Sequence, residues 1–297
     1  MKVLFTSDLH GQIYLFEQLL EWVRISSVER VILGGDFLPS LPPTGRYEEM
    51  IYHQRSFIRT FLMGFFKKCQ KAKVRRIYLI PGNWDAAYPF LFEEPVEGMV
   101  DLDRKLDTLA EGFPIIGYPF VPPTPFRPKD YEKMDDPEAP WPPQKIPSYI
   151  RSPDCPAHFI PIDPQIYLQQ AGTIQEDLPG LPVPEDYEKS IYVMHSPPYG
   201  TSLDAVHGGQ PVGSRAIRTF IETRRPLLTL HGHIHESPTL SGSYLDRIGG
   251  TLAVNPGQGV GVGEKSGEFQ GVIFDPENLG TTLFHTLWKR PNGFTNP

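Results

Sequence analysis

Leu227-Leu228-Thr229-Leu230-His231-Gly232-His233-Ile234-His235 holds the deciding pattern: an apolar run of strand type that stops abruptly in three imidazoles. A continuous apolar run bounded by turn residues suits a strand buried on both faces. The same construction occurs four more times. Val3-Leu4-Phe5-Thr6-Ser7 precedes Asp8 and His10, and Val31-Ile32-Leu33 precedes Gly34-Gly35-Asp36. Ile77-Tyr78-Leu79-Ile80 precedes Pro81-Gly82-Asn83, and Ile191-Tyr192-Val193-Met194 precedes His195. Helical patterns lie between these runs. Ile13, Phe16, Leu19, Leu20 and Val23 form one apolar stripe after the first. Before the last, Ser214 is an N-cap candidate, Ile217, Phe220 and Ile221 make a stripe, and Pro226 closes the helix. Strand, loop, helix, strand specifies an α/β architecture. In open α/β sheets ligands gather beyond the carboxyl ends of strands, and every polar cluster falls at that edge. In the tail, Thr251–Val254 and residues 269–275 and 281–287 alternate apolar and polar side chains, which predicts closely connected strands and puts the second sheet there.

Composition bounds the rest. The chain has 297 residues, with 33 prolines and 27 glycines, and no Gly-X-Y period. Hydrophobic residues make up 39%, including 18 Phe, 13 Tyr and 4 Trp, which is ample for a core and excludes a collagenous or wholly disordered chain. Half the prolines fall in residues 119–184. Proline lacks the N–H and fixes φ, so this window reads as a long irregular insertion, anchored by Trp141, Tyr149, Phe159 and Tyr167 within one domain spanning 1–297. Cys69 and Cys155 are too few for a disulfide framework. The N-terminus reaches Asp8 before a signal-peptide apolar core could form, and the apolar stretch 57–66 is interrupted by Arg59. The expectation is a soluble cytoplasmic protein that does not enter a membrane. Net charge is −7, the wrong sign for a nucleic-acid footprint. The local cations Lys67, Lys68, Lys71, Lys73, Arg75 and Arg76 read as a solvated helix end.

The strand-end residues Asp8, His10, Asp36, Asn83, His195, His233 and His235 offer two carboxylates, one amide oxygen and four of the nine imidazoles. Mixed oxygen and nitrogen donors suit borderline divalent ions such as Mn, Fe, Zn or Ni. One ion cannot use all of these ligands, whereas two ions sharing a bridging carboxylate can. Each cluster alone reads more readily as a turn or as a satisfied core or surface histidine. The ordered set is the signal.

Asp8-Leu9-His10, Gly35-Asp36, Gly82-Asn83, His195, Gly232-His233-Ile234-His235 and the turn Asn255-Pro256-Gly257 together resemble the motif series of the calcineurin-like metallophosphoesterases. The resemblance covers residue 3 to about residue 257, the Pro-rich window being its least typical part. It implies a four-layer αββα sandwich of two mixed β-sheets flanked by helices. It also implies two divalent metal ions, manganese foremost, with Asp8, His10, Asp36 and His235 on one and Asp36, Asn83, His195 and His233 on the other. Two such ions ~3.5–4 Å apart can hold a hydroxide and clamp phosphoryl oxygens. The pair outweighs the two carboxylates, so an acidic chain can still carry an anion-seeking pocket for a small phosphoester.

One position departs from the pattern. Many relatives carry His after the motif Asn, where it is thought to protonate the leaving group. Here that residue is Trp84, whose indole N–H donates but does not titrate usefully. The expectation is a preference for phosphodiesters over monoesters, with Trp84 as a pocket wall or a substrate-stacking surface. Asp85 reads as orienting a ligand histidine or as capping the following turn. His207, in the loop after His195-Ser196-Pro197-Pro198-Tyr199, is the candidate general acid or simply a loop residue. His195 itself is a candidate catalytic group, and Tyr199 a candidate substrate contact. His231 reads as structural. The run Gly257-Gln258-Gly259-Val260-Gly261-Val262-Gly263-Glu264-Lys265-Ser266 mimics a phosphate loop, but Glu264 intervenes where Gly-Lys must be adjacent. The rival reading is a non-catalytic metal-bearing scaffold of the same fold.

Overall fold

The computed structural model describes residues 1–41, 44–139, 146–258 and 267–287. All five apolar runs form strands. Val3–Thr6, Arg30–Leu33 and Arg76–Leu79 lie parallel side by side, in register at Thr6, Leu33 and Leu79. Ile191–Met194 and Leu228–Leu230 pair in parallel in a second sheet. The first sheet runs Phe284–His285, Val272–Phe274, Val3–Thr6, Arg30–Leu33, Arg76–Leu79, Met99–Asp101. The second runs Leu245–Ile248, Thr251–Val254, Leu228–Leu230, Ile191–Met194, Phe113–Tyr118, Leu106–Ala110. Each contains antiparallel pairs at its edges, so both are mixed.

Period-two alternation turns these strands into four layers. Val3, Phe5, Ile32 and Tyr78 of the first sheet pack against Ile191, Val193, Leu228 and Leu230 of the second. The intervening Leu4, Val31, Leu33 and Ile77 face outward onto Phe16, Leu19 and Val23 of the helix Ile13–Ser26. On the far side, Ile116, Tyr118, Tyr192 and Met194 meet Ile217, Phe220 and Ile221 of the helix Arg215–Arg224. Ser214 caps that helix by accepting from the Ile217 N–H, as its sequence predicts. The first helix differs in one detail: Ile13 is 48% exposed and Leu15 takes its place in the core. The six cations of 67–76 are all exposed. Among the described residues no helix is long and apolar enough to cross a membrane.

Two expectations need correction. The tail does not build the second sheet alone. Thr251–Val254 joins that sheet, but Val272–Phe274 adds antiparallel to Val3–Thr6 and Phe284–His285 follows it, extending the first. Nor is 119–184 wholly irregular. It holds the antiparallel ribbon Ser148–Arg151 with Phe159–Ile162 and the helices Pro164–Gln170 and Ile174–Asp177. Its prolines sit where a missing N–H is harmless: Pro161 lies in a two-stranded ribbon and Pro164 in the first helical turn. Tyr149 stacks parallel to Tyr47 at 6.5 Å and also meets Phe159, which is buried. Tyr167 is half-buried. Trp141 and most of the glycine-rich run, 259–266, lie outside the described residues. Asp135 ties the segment to the body by accepting the Arg215 N–H at 2.7 Å.

Candidate metal centre

At the ends of three of the five strands the chain turns sharply, and it does so on the candidate ligand residues themselves. Asp8, His10, Asp36 and His233 have φ of 60°, 43°, 51° and 68°, a left-handed conformation uncommon for side-chain-bearing residues. Such conformations persist where the surroundings over-determine them, and they cluster at functional sites. Backbone bonds do the determining. The Asp8 N–H donates to the Gly35 carbonyl at 2.9 Å and the His10 N–H to the Asp36 carbonyl at 2.8 Å. The His233 N–H donates to the Asp8 carboxylate at 3.0 Å.

The turned side chains converge in two trios. The donor atoms of Asp8, His10 and His235 lie within 4.8 Å of one another, as do those of Asp36, His195 and His233. His10 Nε2 and His235 Nε2 stand 3.1 Å apart, and Asp8 Oδ1 is 3.5 Å from His235. Asp36 Oδ2 is 3.4 Å from His195 Nε2. Burial pushes both carboxyls up, but the facing imidazoles outweigh it and hold Asp8 and Asp36 below the usual carboxylate range. Burial lowers His10 to about 4 and His233 to about 3, leaving their lone pairs free. His195 goes the other way: burial lowers it, yet the Asp36 and Asp8 charges raise it to about 9. The field that charges this histidine is one that attracts cations.

The donors fit divalent ions. Both amide atoms of Asn83, His10 Nδ1 and His195 Nε2 are buried without a hydrogen-bond partner, although buried polar atoms almost always have one. The Gly34 carbonyl meets His195 Nδ1 at 2.8 Å, which orients the ring and leaves Nε2 facing Asp36. Asp36 Oδ1 is fixed by the Trp84 N–H at 2.8 Å. Gly82 closes the same corner, because a Cβ there would stand 2.2 Å from Asp36 Oδ1 and 2.5 Å from its backbone N. Gly82→Ala must therefore displace Asp36. Turnover at this centre is expected to fall about 10²-fold, as misplacement by ~1 Å can cost that much. Steady-state rates and bound-metal content check this.

The remaining predicted site residues are scattered around the centre. Trp84 is 5% exposed and lines a cavity of about 460 Å³ that opens on Asp36, His233 and His235. Asp85 is buried, accepting from Leu38 N at 2.9 Å and Gly82 N at 3.0 Å, so it clamps together the two loops that carry Asp36 and Asn83. Burial and the Asp36 charge raise its carboxyl to about 8. Tyr199 does not line the cavity, and its ring lies 3.7 Å from the Arg215 guanidinium. His207 is exposed on the loop whose Val206 and Val212 do line it. His231 is satisfied by the Met194 and Ser196 carbonyls and by Thr229. Sequence reasoning missed the other cavity residues, notably Phe126, Val212 and Glu236. The Pro122-Pro123-Thr124-Pro125-Phe126 stretch was the available signal: a rigid apolar segment inside the window set apart by its prolines.

An αββα sandwich whose strand ends gather two carboxylate–imidazole trios is the architecture of a metal-dependent phosphoesterase. The family model of the calcineurin-like phosphoesterases matches residues 1–237, and the chain belongs to that family. Among solved structures it is similar to TT1561 of Thermus thermophilus, with TM-score 0.53 and 16% identity over 96% of this chain and 97% of that one. It is similar to a dimetal phosphatase from Danio rerio, with TM-score 0.50 and 11% identity over 92% and 95%. It is also similar to GAP50, the anchor in the inner membrane complex of Plasmodium, with TM-score 0.51 and 9% identity over 96% and 83%. A search of curated proteins finds no match.

Proposed function

We propose that this chain hydrolyses a small phosphoester, diesters in preference to monoesters, at a centre of two divalent metal ions. The observation that carries the reading is the pair of largely buried trios, together with the buried, unpartnered Asn83 amide. Asp8, His10, Asp36 and His235 would hold one ion and Asp36, Asn83, His195 and His233 the other, with Asp36 shared. Manganese is our first choice among the divalent ions, and iron, zinc and nickel also suit mixed oxygen and imidazole donors. When bound, the ions supply Lewis acidity at the phosphoryl oxygens and lower the pKa of water. The protein's part is positioning. The Gly34 carbonyl orients His195, the Trp84 N–H orients Asp36, and Asp85 holds together the loops that carry Asp36 and Asn83.

The diester preference rests on Trp84, which offers a wall where many relatives offer a proton. His207, on the loop over the cavity, is the side chain we assign to protonate a leaving group that needs it. The test compares bis(p-nitrophenyl) phosphate with p-nitrophenyl phosphate after chelation and reloading with Mn(II), Fe(II), Zn(II) or Ni(II). The diester is expected to turn over faster, and a clear monoester preference contradicts the assignment. Full metal loading without hydrolysis of either would support a scaffold role, such as the fold neighbour described as an anchor suggests. We place the protein in the cytoplasm: Cys69 and Cys155 are both free, and Cys155 is exposed, which suits a reducing compartment.

A further inference from the structure

We propose that the substrate's alcohol group is apolar, aryl or alkyl, and that it bears no second phosphate. This rests on the phosphoester reading of the centre. The cavity that opens on Asp36, His233 and His235 is walled by Trp84, Phe126, Val206, Val212, Ile234 and the prolines of 122–125. Among the described residues no lysine or arginine lines it, and its one charged side chain outside the ligand set is Glu236. Second phosphates are ordinarily met by arginine or lysine donors. Here one would meet a carboxylate instead.

Apolar surface is left open at this place. Phe126 is 40% exposed and Val212 37%, on opposite segments that both face the cavity. Such surface beside a charged centre gains most from covering an apolar group. Thr124, the one hydroxyl in the wall among the described residues, is already engaged: its N–H and Oγ1 donate to Glu132 and its carbonyl accepts from Lys129. Arg127, next in the chain after Phe126, lies over the Tyr47 ring at 4.6 Å. The aromatic wall is also prebuilt. Trp84 stands 5.1 Å from Phe126 and 6.3 Å from Tyr47, ring centre to ring centre. A wall ordered in advance spares the entropy of ordering it on binding.

The test is calorimetric titration of the Mn(II)-loaded full chain with phenylphosphonate, methylphosphonate and 3-phosphonopropionate, whose phosphonate groups present the same oxygens. Phenylphosphonate is expected to bind roughly tenfold tighter than methylphosphonate, and 3-phosphonopropionate no tighter. Phe126→Ala should erase most of the phenyl advantage, lowering phenylphosphonate affinity by far more than methylphosphonate affinity. Equal binding of phenyl and methyl compounds overturns the proposal, as does a Phe126→Ala loss shared equally by both, or tighter binding of the extra carboxylate. Turnover of bis(p-nitrophenyl) phosphate by the same samples separates the two readings. Turnover without phenyl preference overturns the pocket assignment alone, and phenyl preference without turnover overturns the hydrolase reading alone.

Discussion

Asp36→Asn is expected to lower kcat/KM for bis(p-nitrophenyl) phosphate by about 10³-fold or more, since the charge assigned to both ions disappears while the shape stays. The asparagine amide can still present an oxygen to the Trp84 N–H, which now bonds Asp36 Oδ1 at 2.8 Å. The loop should therefore keep its course. What is lost is one of the centre's two carboxylates, with its field on His195 and its place among the donors His195 and His233. Bound metal per chain should fall together with turnover. A metal-loaded variant that turns over like the wild type would overturn the shared-ligand assignment. A variant that keeps one ion and loses activity would show that both are needed.

Glu132→Ala is expected to destabilise the chain by ~3–5 kcal/mol, because removing one partner of a buried ion pair strands the other. Lys129 and Glu132 form such a pair at 2.8 Å, with side chains 3% and 0% exposed. Glu132 also accepts from the Thr124 N–H at 3.0 Å, and Lys129 donates to the Thr124 carbonyl at 2.9 Å. Burial raises the Glu132 carboxyl to about 7 even with Lys129 pulling it down. Alanine would leave the Thr124 N–H and the Lys129 ammonium buried without these acceptors. At ~2–4 °C per kcal/mol for a chain of this general size, the midpoint of thermal unfolding should drop on the order of 10 °C. Glu132→Gln retains an acceptor and should lose less. An unchanged midpoint for Glu132→Ala would mean that the pair is not buried as described. The same network holds residues 124–126 against Trp84, so surviving Glu132→Ala protein should also bind phenylphosphonate more weakly.

The candidate centre was legible because each proposed ligand stands at the end of an apolar strand. A strand covered on both faces has few polar side chains, so polar residues crowded at its end stand out. Asp8, His10, Asp36, Asn83, His195, His233 and His235 could be read this way from five short stretches. The helix Arg215–Arg224 was legible for a related reason, since Ser214, the apolar stripe and Pro226 all act within a few residues of one another. Lys129 and Glu132 escaped notice because isolated charges normally belong to solvated surface. Only the packing of 122–132 onto the body shows that they are enclosed.

What the sequence determined by itself was therefore local and periodic: buried strands, capped helices and the donors at their ends. Pairing across distance was decided by tertiary structure alone. Val272–Phe274 could have extended either sheet, and it lies beside Val3–Thr6, extending the first. Trp84, Phe126 and Val212 are far apart in the chain and meet around one cavity. Periodicity assigns a face to each residue within its own element, but it does not say which distant face will cover it. That choice is made when all the layers close together, and here it turned a proline-rich window into one wall of the proposed active site.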